Sequence, residues 1–135
     1  MSQENVEAFQ RAVAAYNRGD IDAFLEEIDP DVEWHPLLQG MLSGEATTYR
    51  GHDGVRELFR DLNEGFTDQE VEPSEVRDLD DLLVAIGRIR GRGKESGAEA
   101  ESPINWVVDF RDSRAVRVRE YLDPKAALDA AGLSE

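Results

Sequence analysis

The chain has 135 residues, 40% of them hydrophobic, with 30 acidic against 15 basic side chains, no cysteine and a formal charge of −15. That length suits one domain over residues 1–135, and zero cysteines exclude disulfides, thiolate catalysis and cysteine-held zinc. The acidity argues against nucleic acid, whose phosphates need a basic face, and reads as a well-solvated surface. No apolar run approaches the roughly 20 residues that span a bilayer. The polar start Met1-Ser2-Gln3-Glu4-Asn5 lacks the basic and apolar stretches of a secretory signal. A cytoplasmic protein with no membrane partner is expected.

Residues 3–17 carry Val6, Phe9, Val13 and Tyr16 at helical spacing. Gly19 stops that helix, and Asp20 is an N-cap for a second bearing Ile21, Phe24, Leu25 and Ile28. Pro30 forbids its continuation, and Val32 to His35 read as a short strand. Residues 37–48, with Gly40, Ser43, Gly44, Thr47 and Thr48, read as a loop and a candidate lid over a pocket. Asp53 caps a third helix bearing Val55, Leu58, Phe59 and Leu62, which Gly65 ends. Residues 71–78 form an edge strand marked by Pro73, and 82–92 a stronger one. Gly91 to Gly97 is a flexible turn. Residues 99–110 and 114–122 pair through an Asp112-Ser113 hairpin turn. Asp123 and Pro124 open a last helix that Gly132 closes. Helices followed by a run of antiparallel strands give an α+β fold.

Four stretches mark the order of these elements: Asn17-Arg18-Gly19-Asp20, then Asp29-Pro30-Asp31-Val32-Glu33-Trp34-His35-Pro36, then Tyr49-Arg50-Gly51-His52-Asp53, and finally Tyr121-Leu122-Asp123-Pro124 with Ala131-Gly132-Leu133. In that order the chain resembles the SnoaL-like branch of the NTF2-like superfamily, which includes ketosteroid isomerases and polyketide cyclases. The resemblance implies a cone-shaped, curved antiparallel sheet wrapped around the N-terminal helices, a pocket between sheet and helices, and a homodimer formed through the outer sheet face. Apolar residues on both faces of one strand fit that dimer, with Leu83, Ala85 and Ile89 opposite Val84 and Ile86. The scaffold hosts enzymes and binding modules alike, so the reaction does not follow from it.

His35 stands where the resemblance places the isomerase base. A histidine titrating near neutrality can take a proton from carbon beside a carbonyl, so it is the candidate catalytic residue. The competing reading is a strand-end histidine bonded to backbone or water. His52, at a helix start, reads as a capping or exposed residue. The resemblance places the isomerase tyrosine near Ala12, not at Tyr16, which reads as core. It places the isomerase's protonated aspartic acid, a worked case of carboxyl pKa tuning, at Asn105 or Trp106. Ile104, Trp106, Val108 and Phe110 share an apolar face, which favours Trp106, whose indole N–H can donate a hydrogen bond. Neither supplies a carboxylic acid, which argues against steroid isomerase activity.

Arg88 and Arg119 are open between two readings. They lie on the solvent side paired with acids, or they project into the cone, where the resemblance puts Ile86, Arg88 and Arg119. A buried guanidinium there would need Glu120, Asp109 or a ligand carboxylate as partner. Arg117 and Arg119 share a face with Tyr121. Gly91-Arg92-Gly93-Lys94 lacks the spacing of a phosphate loop, and Asp78, Asp80 and Asp81 lack the glycine and terminal glutamate of a calcium loop. No metal or cofactor is implied. Two functions follow: a cofactor-independent isomerase, cyclase or hydrolase acting on a small carbonyl compound, with His35 as acid/base and Asn105 or Trp106, Arg88, Arg119 and Tyr121 binding the substrate; or a non-catalytic small-molecule-binding accessory protein using the same pocket.

Overall fold

A computed structural model of the protein describes residues 2–36 and 48–133. Its elements are helix α1 (Ser2–Asn17), helix α2 (Ile21–Glu26), strands β1 (Ile28–His35) and β2 (Tyr49–Arg50), helix α3 (Gly51–Gly65), strands β3 (Phe66–Asp78), β4 (Leu82–Gly93), β5 (Glu99–Arg111) and β6 (Arg114–Tyr121), and helix α4 (Pro124–Ala130). The strands form one sheet in the order β2-β1-β6-β5-β4-β3. All neighbours are antiparallel except β1 and β6, which run parallel. The sheet is therefore mixed, curled and unclosed, with helices on its inner face: the expected α+β cone with one parallel pair. The proposed lid falls mostly on residues 37–47, outside the described residues.

Local chemistry sets several of these boundaries. The Asp20 side chain accepts the Ala23 N–H at 3.1 Å and starts α2. That helix ends at Glu26, before Pro30, and β1 begins at Ile28 and runs through the proline. Asp112 and Ser113, with φ of 53° and 62°, make the two-residue turn whose twist suits a hairpin. Asp123 accepts the Lys125 N–H at 3.0 Å, Pro124 takes the first helical position, and Gly132, at φ 80°, closes α4. The third helix differs from expectation: it begins at Gly51, its cap residue Arg50 makes no side-chain cap bond, and Asp53 lies within its first turn. His52 Nε2 donates to the Ile28 carbonyl at 2.8 Å, tying α3 to β1.

Edge strand β3 bends over β4 where its register shifts between Pro73 and Glu75. Gly87 lies beneath that shift, and a Cβ there would stand 2.4 Å from the Glu72 carbonyl oxygen and 2.8 Å from Pro73 Cα. Only glycine permits so close a backbone approach. Two asparagines clamp α1 across the sheet. Asn5 donates to the Asp80 carbonyl at 2.7 Å. Asn17 donates to the Val71 carbonyl at 3.0 Å and accepts the Val71 N–H at 2.8 Å.

The main core lies inside the cone. Phe24 packs its ring against Phe59 (centroids 5.0 Å apart), Trp34 (5.8 Å) and Tyr16 (6.3 Å), a set of tilted aromatic contacts. A second, smaller core lies on the outer face, where Ala127 and Leu128 of α4 cover Val84 and Val107. This explains part of the apolar character of that face within the chain itself.

Candidate ligand cavity

Between α1, α2, α3 and the inner sheet face is a cavity of about 90 Å³. Helix α1 contributes Ala8, Phe9, Ala12, Val13 and Tyr16; α2 and α3 add Phe24, Leu58, Phe59 and Leu62. The sheet supplies Trp34, Ile104, Trp106, Val108, Phe110, Val118 and Glu120. The space exists because α1 turns two alanines, Ala8 and Ala12, toward the sheet where larger residues would fill it. Ala12 is where the resemblance puts the isomerase tyrosine, and it brings no hydroxyl.

The polar groups on this wall are few. Trp34 Nε1 donates to Glu120 Oε2 at 3.2 Å. Tyr16 donates its hydroxyl proton to Gln69 Oε1 at 2.5 Å, and Gln69 in turn donates to Asn63 Oδ1 at 2.9 Å. Burial and, after it, the Glu120 charge push the Tyr16 phenol well above the ordinary tyrosine range. Glu27 also reaches the wall, gripped from outside by Arg11 through two contacts of 3.0 Å. A wider groove of about 740 Å³ lies behind Tyr16, along the α1–α2 turn and the end of α3. It is lined by exposed charges of both signs, including Arg18, Asp20, Arg60, Glu64 and Lys94, so the apolar cone is the better candidate for a ligand site.

Of the candidate catalytic and substrate-binding residues named from sequence, the cavity receives one. Trp106 is on the wall, in edge-to-face contact with Phe9 at 6.1 Å. Asn105 points the other way. It is 0% exposed and donates to the carbonyls of Tyr121 and Leu122, both at 3.2 Å. His35 does not line the cavity, because β1 alternates and Val32 and Trp34 take the inner face. Its side chain, 37% exposed, holds Glu33 Oε1 at 2.6 Å through Nε2. Thr48 Oγ1 lies 3.2 Å from Nδ1 and donates to it in the matching tautomer. The His35 hydrogen bond, with Arg50 beyond it, lowers the Glu33 pKa.

Arg88 lies on the outer face, 3.3 Å from both Glu72 and Glu101. Arg119 is outside as well, opposite Val107, with Nη2 3.7 Å from Asp109 Oδ2. Tyr121 pairs with Asn105 on that outer side and packs under α4. Neither arginine therefore enters the cone. Their strand faces belong to Val84 and Val107, while Leu83, Ala85, Ile89 and Val118 face the helices.

Glu120 enters the cone from β6, at a position the sequence offers as a partner for an arginine. Alternation carried the signal, since Glu120 shares a face with Val118. The bulge between Asp109 and Phe110 keeps that face inward, pairing Trp106 with Glu120 and Val108 with Val118.

The SnoaL-like domain model matches residues 9–118, and the chain belongs to this family. Solved structures share the fold. An NTF2-like protein from Burkholderia pseudomallei is 23% identical, with a TM-score of 0.80 over 93% of this chain and 95% of that one. TerC, co-crystallized with polyporic acid, is 26% identical, with a TM-score of 0.78 over 93% and 96%. A candidate polyketide cyclase from Xanthomonas campestris is 22% identical, with a TM-score of 0.77 over 90% and 92%. Comparison with curated proteins gives no match. No helix among the described residues is long and apolar enough to cross a membrane.

Proposed function

We propose that the chain binds a compact, largely apolar small molecule in the cone and anchors its polar end at Glu120 and Trp34. The observation that carries this is the cavity itself, an apolar, aromatic wall interrupted by the Glu120–Trp34 pair. An engineered cavity of about 150 Å³ admits benzene. At about 90 Å³ the cone fits a smaller body, or a single ring once wall side chains move. TerC, seen with polyporic acid, supports a small-molecule role for this scaffold.

A second reading adds chemistry: a cofactor-independent isomerase, cyclase or hydrolase acting on a small carbonyl compound. Glu120 favours it, as a carboxylate on an apolar wall within reach of a ligand proton. The acid/base role then passes from His35 to Glu120, with Trp106 as a binding group. Homodimerisation over the outer sheet face around Ile86, Arg88 and Arg119, and a cytoplasmic location, complete the proposal.

A thermal-shift screen of small ketones, lactones, phenols and amines tests it on wild type, Ala12→Leu and His35→Ala. A ligand at 100 times its Kd adds roughly 2.7 kcal/mol of stability. The expected pattern is a hit lost in Ala12→Leu, where the leucine fills the cavity, and kept in His35→Ala. A hit that survives Ala12→Leu and disappears in His35→Ala overturns it.

A further inference from the structure

The cone and the wider groove behind it share a wall. Tyr16, Phe59 and Leu62 line both spaces. Tyr16 is held in this partition at both ends. Its ring stands edge-on to Phe59, with centroids 5.1 Å apart, and its hydroxyl donates to Gln69 Oε1 at 2.5 Å. Gln69 reaches it from a break in the β3–β4 ladder. Between the pairs Thr67–Arg92 and Glu70–Arg90, Asp68 and Gln69 of β3 face Gly91 alone. Asp68 sits there at φ 55°, a left-handed backbone uncommon for a residue other than glycine. A Cβ on Gly91 would stand 3.4 Å from Gln69 Cγ. A bulge of this kind re-aims a side chain. Here it turns Gln69 to Tyr16, and Asn63 of α3 fixes the Gln69 amide at 2.9 Å. Side chains of α1, β3 and α3 thus meet in one run of hydrogen bonds at the partition.

We infer that Tyr16 is a gate through which ligand passes between the groove and the cone. The inference rests on the cone being the ligand site. The backbone beside the gate is fixed, because the next residue, Asn17, accepts the Val71 N–H at 2.8 Å and donates to the Val71 carbonyl at 3.0 Å. Passage therefore comes from rotation of the Tyr16 side chain, with α1 still docked on β3. The groove, of about 740 Å³, gives the ring room, and water there replaces the Gln69 acceptor. Opening breaks one neutral hydrogen bond and one aromatic contact, a modest cost for a motion that admits and releases a ligand. The Gln69 bond holds the closed gate and is broken in the open one. Removing it eases entry and exit by the same factor and leaves the affinity alone.

The chain has only two tryptophans, and both line the cavity. Their two indole N–H signals in ¹⁵N-labelled protein therefore report occupancy directly. Benzene, which enters apolar cavities, would be titrated into wild type, Tyr16→Phe and Gln69→Met. The titration gives Kd, and relaxation dispersion of the same signals gives the exchange rates. Tyr16→Phe removes the bond at the gate itself. Gln69→Met removes it from the groove side. One neutral hydrogen bond supports roughly a two- to tenfold effect, so both variants should bind and release benzene that much faster at the wild-type Kd. A residue that merely touches ligand changes Kd, chiefly through the off-rate. Weaker binding with an unchanged association rate therefore overturns the inference. Wild-type rates in both variants, with binding intact, overturn it too and leave the cone as the ligand site. Indoles unmoved by benzene in all three proteins would remove both the gate and the cone.

Discussion

Asn105 separates a structural role from a ligand-binding one. It is fully buried on the outer side of β5, and its amide N–H groups hold the Tyr121 and Leu122 carbonyls at 3.2 Å, where β6 turns toward α4. Replacing it with alanine removes two neutral hydrogen bonds of roughly 0.5–1.5 kcal/mol each and leaves a small void. The loss is partly offset because Oδ1 is itself buried without a partner among the described residues. The net cost should be about 2 kcal/mol, a fall in Tm of about 5–10 °C for a chain of this size. Urea unfolding measures the cost, and the indole titration measures ligand binding on the folded fraction. Asn105→Ala should lose stability and keep its ligand affinity. Unchanged stability with lost affinity would refute the outward orientation of this residue.

Gly87→Ala should destabilise by roughly 1–3 kcal/mol in urea unfolding, because its Cβ can be housed only by moving β3 backbone off β4. Glu33 has a lowered pKa in the folded chain through His35 and then Arg50. The unfolded chain therefore binds this proton more readily as pH falls, and the stabilisation present at neutral pH fades through the carboxylate range. The destabilisation caused by Glu33→Gln should accordingly shrink between about pH 6 and about pH 3, as read from paired denaturation midpoints. Tyr16 has a raised pKa through burial and then Glu120, so wild type should lose stability above about pH 10, where the unfolded phenol ionises first. Tyr16→Phe should lose about 1 kcal/mol at neutral pH with its hydrogen bond to Gln69 and show a weaker alkaline decline.

Local signals made much of the cone legible. The spacing of Val6, Phe9, Val13 and Tyr16 gives α1, Asp112-Ser113 gives the last hairpin, and Asp123-Pro124 opens α4. What was hidden depends on distant partners. Strand β1 starts at Ile28, across a proline, because its parallel neighbour is β6, some eighty residues later in the chain. The face of β4 was ambiguous because Leu83 and Ala85 meet the main core while Val84 meets α4. For the site, alternation was the better guide. It places Trp106 inward, and the structure follows the same alternation in setting His35 opposite Val32 and Trp34 and Glu120 beside Val118. Positions carried over from the resemblance pointed instead to His35, Arg88 and Arg119, whose side chains lie outside the cone.

The most direct measurement is an NMR titration of wild type with the most stabilising compound from the thermal screen, following both indole N–H signals and the ring protons of His35. Trp34 and Trp106 should shift together and saturate with one Kd, while His35 stays where it was. Saturable shifts at His35 with both indoles unmoved would place the ligand on the outer surface and contradict a binding site in the cone.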